Sequence, residues 1–231
     1  MEKDNRENSN RCNAEPKVLL SQTNWNNLYF YKKSGVLYHL TYVFCQRFLP
    51  PHGDRTVDQM VQAARSGKQN IVEGLADGVT STKMELKLLN VARASLQELR
   101  EDFHDFLVAR SLPVWVSGHA RYKAMTAFCS KHNELDDYLP FFEKWDAEEM
   151  ANIGLSLCHI TDTMMNHYIK GKEKDFVELG GIQERMHAAR TGYRKGQDGR
   201  LAELETAYAK LLKDYSELER KYLELKKRIV E

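Results

Sequence analysis

The stretch AARSGKQNIVEG, residues 63–74, reads as helix, yet Gly67 stands in its interior with uncharged polar residues around it. A glycine there costs about 1 kcal/mol relative to alanine, so the helix must gain something at that point. Extended outward, the segment gives a helix over 55–75, with Val57, Met60, Ala64, Gly67, Ile71 and Gly74 at intervals of three or four. That stripe is apolar but thin.

The neighbouring segments carry fuller stripes. A helix over 26–49 places Leu37, Leu40, Phe44 and Phe48 on one side and stops at Pro50 and Pro51. The next opens near Thr82, where Thr82 and Glu85 have capping-box spacing, and runs to about 110. Met84, Leu88, Val91, Ser95, Leu99 and Phe106 lie on one face, with Leu89, Leu96 and Phe103 beside it. After a less regular stretch over 111–146, a further helix over 147–170 has Met150, Ile153, Leu157, Ile160 and Met164 on one side and Leu155, Cys158, Met165 and Ile169 on another. Two apolar faces on these last two helices predict a second packing surface, either between subunits or against the 111–146 insertion.

Composition agrees with an all-α class: 231 residues, 29% of them charged, 42% hydrophobic, and only five prolines. Lys plus Arg (34) nearly balances Asp plus Glu (33), so net charge gives no general argument for a nucleic-acid or membrane partner. Cys12, Cys45, Cys129 and Cys158 are far apart and form no Cys-x-x-Cys pair, as expected of reduced thiols. The opening MEKDNRENSNRCNAEP lacks an apolar signal core, and no apolar run is long enough to span a bilayer. A cytoplasmic protein is expected, with residues 1–23 as a polar tail.

Residues 171–199 are punctuated by Gly180, Gly181, Gly192, Gly196 and Gly199 and read as a jointed segment. Over 200–231 the pattern changes. Leu201, Leu204, Tyr208, Leu211, Tyr215, Leu218, Tyr222, Leu225 and Ile229 alternate steps of three and four, a heptad seam with Leu at every d position and Tyr at three a positions. Such a helix needs a partner to bury its seam. Successive tyrosines are bulky for a tight parallel dimer, which leaves a looser multi-strand coil, an antiparallel pair, a different protein, or the chain's own bundle.

Catalytic signals are weak. Two Glu-x-x-His pairs, Glu101/His104 and Glu184/His187, have the spacing used in di-iron bundles, but neither has an evident buried carboxylate opposite. His159, Asp162 and Asn166 share a helix face. No nucleophile arrangement or phosphate-cradling glycine motif occurs, so a non-enzyme without cofactor or metal is expected. Arg55, Arg65, Lys68, Lys83, Lys87, Arg93 and Arg100 outnumber Asp58, Glu73, Asp77, Glu85 and Glu98 on the second and third helices. Repeated around an oligomer, that excess would attract phosphates. Arg55, Arg65, Lys68, Lys87 and Arg93 are the candidate nucleic-acid contacts, with Arg93 equally an ion-pair partner for Glu73 or Glu98.

Gln59, the run ARSG over 64–67, NIVEG over 70–74 and ARASLQEL over 92–99 resemble the two helical signatures of the bacterial four-helix-bundle family, which includes ribosomal-RNA intervening-sequence proteins and the accessory variability determinant of diversity-generating retroelements. GGIQERM, residues 180–186, resembles its four helix bundle suffix domain subgroup. The resemblance implies up-and-down four-helix protomers over 24–170, a pentameric ring, RNA or RNA/DNA binding on a basic surface and, in the retroelement branch, association with a reverse transcriptase. On this reading Ala64, Gly67 and Gly74 permit close helix approach, and Gln59, Ser66, Asn70 and Glu73 form a polar strip that hydrogen-bonds across a helix or subunit contact. The alternative is a coiled-coil scaffold that holds copies of the bundle together or docks another protein through Leu204, Tyr208, Leu211, Tyr215, Leu218, Tyr222 and Leu225 without binding nucleic acid.

Overall fold

A computed structural model of the chain describes residues 18–19, 23–50 and 55–230, with side chains as far as 227. Most of the expected tail, Cys12, Pro51 and the side chain of Ile229 lie outside that range. Every regular element among the described residues is helical. After a single 3-10 turn at Trp25–Asn27, the chain forms α1 (Tyr29–Phe48), α2 (Arg55–Asp77), α3 (Thr82–Ala109), α4 (Tyr122–Lys131), the short α5 (Leu139–Phe142), α6 (Ala147–Leu179) and α7 (Ile182–Val230). The chain divides into two compact units, one spanning residues 19–182 and the other made of 183–231 with 1–18.

In the larger unit α1, α2, α3 and α6 pair in a closed cycle: α1 with α2, α2 with α3, α3 with α6, and α6 with α1. The contacts alternate in direction. Cys45 near the end of α1 meets Met60 near the start of α2 at 4.0 Å, and Phe30 at the start of α1 packs on Tyr168 late in α6. The α2–α3 connection covers only residues 78–81, as antiparallel neighbours require. Ser81, not Thr82, is the N-cap of α3, its hydroxyl accepting from the Met84 amide. Glu85 is thereby released from the expected capping box. It is buried, accepts from the Tyr168 hydroxyl at 2.7 Å, and meets the Lys172 ammonium at 3.4 Å.

The thin stripe of α2 lies against α3. A Cβ added to Gly67 would fall 2.9 Å from Leu96 Cδ2, and one at Gly74 would fall 3.2 Å from Leu88 Cβ and 3.3 Å from the Glu85 carbonyl. Gly154 of α6 performs the same service for the Phe103 ring, 2.6 Å from its would-be Cβ. These positions exchange helix propensity for proximity.

The 111–146 insertion joins the same core. Lys33 of α1 is buried and donates to the carbonyls of Cys129 and, at 2.8 Å, His132. Its ammonium thus meets the exposed carbonyl end of α4, where positive charge is favourable. Burial, the largest influence, lowers the Lys33 pKa, with Cys129 and Asp137 opposing it. On α6, Asn152 accepts from the Trp115 amide at 2.7 Å and donates to the Pro113 carbonyl at 3.0 Å. Tyr138 is buried among Phe128 and Trp145. Because α4 packs on α6, the second apolar face of α6 is covered within the chain, and residues 150–154 are buried all round. On α3, by contrast, Met84 and Val91 remain exposed.

The jointed segment is less broken than its glycines suggest. Gly180, at φ 71°, is the one described glycine in the left-handed region and ends α6 with its amide on the Phe176 carbonyl. α7 then runs unbroken through Gly192, Gly196 and Gly199, none of which has a neighbour within 4 Å of a would-be Cβ. Three such glycines cost the helix about 3 kcal/mol relative to alanine, but they do not stop it.

The α2–α3 contact sets two expectations for thermal and urea melts. Gly67→Ala displaces only the flexible end of Leu96 while gaining helix propensity, so stability changes by less than about 1 kcal/mol. Gly67→Leu overpacks the contact and lowers stability by about 2–3 kcal/mol.

Candidate functional site

Of the polar strip expected on α2, Ser66 reaches a neighbouring helix. Ser95 on α3 donates to the Ser66 hydroxyl at 3.1 Å. Asn70 donates back along its own helix to the Ser66 carbonyl at 2.9 Å and its hydroxyl at 3.2 Å. Ser66 and Ser95 form part of the floor of a groove of about 630 Å³ whose walls include Arg55, Asp58, Gln59, Gln62, Glu98 and Asp102. Gln59 is exposed at this rim, and Glu73 is exposed further along α2. Burial, then the nearby Asp105 and Glu98, hold the Asp102 carboxyl above the usual carboxylate range. Three carboxylates against one guanidinium make this groove repel phosphate, so Arg55, expected as a nucleic-acid contact, stands in acidic surroundings.

The other four basic candidates differ among themselves. Arg93 donates from Nε to Asp162 Oδ1 at 2.7 Å and from Nη2 to Oδ2 at 3.4 Å. Its partner is therefore on α6, not the Glu73 or Glu98 of the sequence reading, and this fork joins two helices of the cycle. Lys68 is half-buried, with its ammonium 5.8 Å from the Tyr38 ring centre. Beside it the His39 pKa is lowered, first by burial and then by the Lys68 charge. Arg65 and Lys87 are exposed. Over the full extents of α2 and α3 the acids Glu101, Asp102 and Asp105 join Asp58, Glu73, Asp77, Glu85 and Glu98, so the seven bases no longer exceed them.

A second groove, of about 570 Å³, opens among α3, α6 and residues 114–130 and brings together Arg100, Glu101, His104, Trp115 and His159. Glu101 already accepts from Gln97 at 2.6 Å, and Glu184 and His187 belong to the other unit. Among the described residues no three His, Cys, Asp or Glu side chains converge as a metal site would need. Of the polar face on α6, Asp162 is committed to Arg93 while His159 faces this groove. Burial pushes the Cys129 thiol up to about 11 and the Cys158 thiol higher still, which keeps both protonated and unreactive near neutral pH.

The smaller unit is dominated by α7. Arg185 is buried and donates from Nε to the Val18 carbonyl at 3.1 Å. From Leu201 to Lys227 every residue is exposed. Leu204, Tyr208, Leu211, Tyr215, Leu218, Tyr222 and Leu225 lie between 58% and 67% open to solvent.

No protein-family model matches the chain, and no curated protein or solved structure matches it either. The resemblance to the bacterial bundle family therefore rests on the motif residues themselves. No described helix is long and apolar enough to cross a membrane.

Lys33, Tyr138, Asn152 and Gly154 are the structural residues that sequence reasoning missed. Only the small size of Gly154 in an apolar helix offered any signal. The acidic groove can be checked through Asp102. Its folded-state pKa lies above 3.8, so the charge is a penalty at neutral pH that protonation relieves as pH falls. Asp102→Asn raises the melting temperature at pH 7, and the difference from the parent protein shrinks with falling pH and is lost below the unfolded-state carboxyl value of about 3.9.

Proposed function

We propose that this chain is a non-enzymatic cytoplasmic assembly protein, in which an up-and-down four-helix bundle of α1, α2, α3 and α6 is carried by a helix, α7, that joins it to further copies. The observation behind this reading is the exposed seam from Leu204 to Leu225. Burying one Leu or Tyr side chain is worth about 1.5–3 kcal/mol. Seven of them in heptad register constitute an interface awaiting its other half. The scaffold alternative of the sequence reading thus becomes the leading one.

Leu211→Glu with Leu218→Glu puts two charges per chain into the seam. Sedimentation of the full-length variant should give the 26.8 kDa mass of one chain, against a multiple for the parent. Unchanged multiple mass would remove α7 from the interface, and five chains surviving the substitutions would favour the ring implied by the family resemblance.

A second reading, nucleic-acid binding by the assembled protein, is favoured by one observation. Arg65, Lys83 and Lys87 are exposed and have no ion-pair partner among the described residues. Such cations give affinity for RNA or RNA/DNA phosphates without base readout, and a reverse transcriptase is the partner that the resemblance suggests. Fluorescence anisotropy against structured RNA over a range of salt should show the log–log slope falling by about 2 on Arg65→Glu with Lys87→Glu. An unaltered slope would take both residues out of the site.

A further inference from the structure

The seam has a direction written into its flanks, and resting on the assembly reading above, we infer that α7 pairs with α7 of a second copy in antiparallel orientation, centred between Ser216 and Glu217. With Tyr208, Tyr215 and Tyr222 at a and Leu204, Leu211, Leu218 and Leu225 at d, the e positions are Glu205, Leu212, Glu219 and Lys226. The g positions include Arg200, Ala207, Asp214 and Lys221. All of these are on the unbroken helix α7 and exposed.

In a parallel pair each a residue meets its own copy. Tyrosine would face tyrosine at 208, 215 and 222, alternating with leucine on leucine, so wide layers would follow narrow ones. Each g residue would also meet the e residue of the partner's next heptad. Asp214 would face the partner's Glu219, and Lys221 the partner's Lys226. Arg200 with the partner's Glu205 is the one attractive pair that remains.

Reversing one helix sets each a position opposite a d position. In the register centred between Ser216 and Glu217, Tyr208 faces the partner's Leu225, Leu211 the partner's Tyr222, and Tyr215 the partner's Leu218, each pairing occurring twice by symmetry. Each of these six layers then holds one tyrosine and one leucine, and their widths are equal, as close packing along a seam requires. Reversal also brings g beside g and e beside e. Asp214 meets the partner's Lys221 and Glu205 meets the partner's Lys226, again twice each.

The adjacent registers fail on charge. Sliding one heptad one way sets Asp214 against the partner's Asp214, and Glu205 against the partner's Glu219. Sliding the other way sets Lys221 against the partner's Lys221, and Glu219 against the partner's Glu219. Exposed ion pairs contribute little affinity, but like charges at such sites select orientation and register. The Tyr/Leu layers hold the helices together, and the flanks choose the arrangement. In the single chain Lys221 is 2.9 Å from Glu217 one turn away, so its ammonium already lies along this edge of the helix.

The two orientations predict opposite responses. Asp214→Lys in the full-length protein places lysine against the partner's Lys221 and weakens two-chain association about tenfold, while Asp214→Lys with Lys221→Asp restores it. In a parallel pair the single substitution would instead face the partner's Glu219 and tighten association, a result that overturns the orientation. Oxidative cross-linking reads the register directly, using the full chain with Cys12→Ser. Leu211→Cys and Tyr222→Cys form a disulfide when the two variants are mixed, and neither does so alone, because like positions are then about 16 Å apart along the axis. Cross-linking of Leu211→Cys with itself would refute the antiparallel register while leaving self-assembly standing. A parent protein that sediments as a single chain at every concentration would overturn both this inference and the assembly reading.

Discussion

The close approach of α2 to α3 is the constraint on which the larger unit depends. Gly67 and Gly74 present no side chain where α2 faces α3, so Leu96 and Leu88 of α3 come to within van der Waals reach of its backbone. A hydrophobic stripe this thin would leave voids if the helices stood at ordinary separation, and voids forfeit dispersion contacts outright. Close approach also brings Ser66 within hydrogen-bond distance of Ser95, so the hydroxyl beside Gly67 gains a partner through the proximity that the glycine permits. The propensity lost at Gly67 is offset by packing on the neighbouring helix.

Around that contact the fuller apolar stripes of α1, α3 and α6 form the buried core, and polar groups at helix ends and crossings fix how those helices meet. Lys33 meets the carbonyl end of α4, Arg110 donates to the Phe48 carbonyl that ends α1 at 3.2 Å, and Arg93 forks onto Asp162 between α3 and α6. Each uses a long cationic side chain to occupy carbonyls or a carboxylate where its stem can stay among apolar neighbours. A cation engaged in this way is unavailable to an external phosphate. The same chemistry that makes a sequence look basic therefore ties the helices together in the folded chain.

That double use explains what the sequence disclosed and what it hid. Helices α1, α2 and α3 were legible to within a few residues because periodicity, proline and short polar connections are local signals. The identity of a cation's partner is not local. Nothing around Lys33 in YKKSG distinguishes it from Lys32, yet Lys33 is buried and Lys32 is not. Arg93 had nearby glutamates to suggest a partner, and its actual one is 69 positions away. The glycines at 192, 196 and 199 misled for a related reason. A glycine weakens a helix in proportion to its propensity, but only a positive φ requires the chain to turn, and Gly180 alone of the described glycines has one.

The distribution of unburied apolar surface connects structure to the proposed role. In the larger unit exposed large apolar side chains such as Tyr42 on α1, Met84 and Val108 far apart on α3, and Val116 in the insertion are scattered, as on any protein surface. In α7 they recur at every a and d position from Leu201 to Leu225. Scattered exposure costs a folded chain little and calls for no partner, whereas a periodic seam presents a continuous strip that water covers unfavourably along its whole length. A further argument comes from residue choice. A seam meant only to coat the helix would not need tyrosine and leucine to alternate strictly from Leu204 to Leu225, nor flanking acids and bases to be placed so that opposite charges meet on reversal. Alternation of wide and narrow side chains evens out when a helix meets its own reverse, since every wide position then faces a narrow one. The sequence of α7 thus contains its own complement, and that self-complementarity is the physical reason for taking a second copy as the partner.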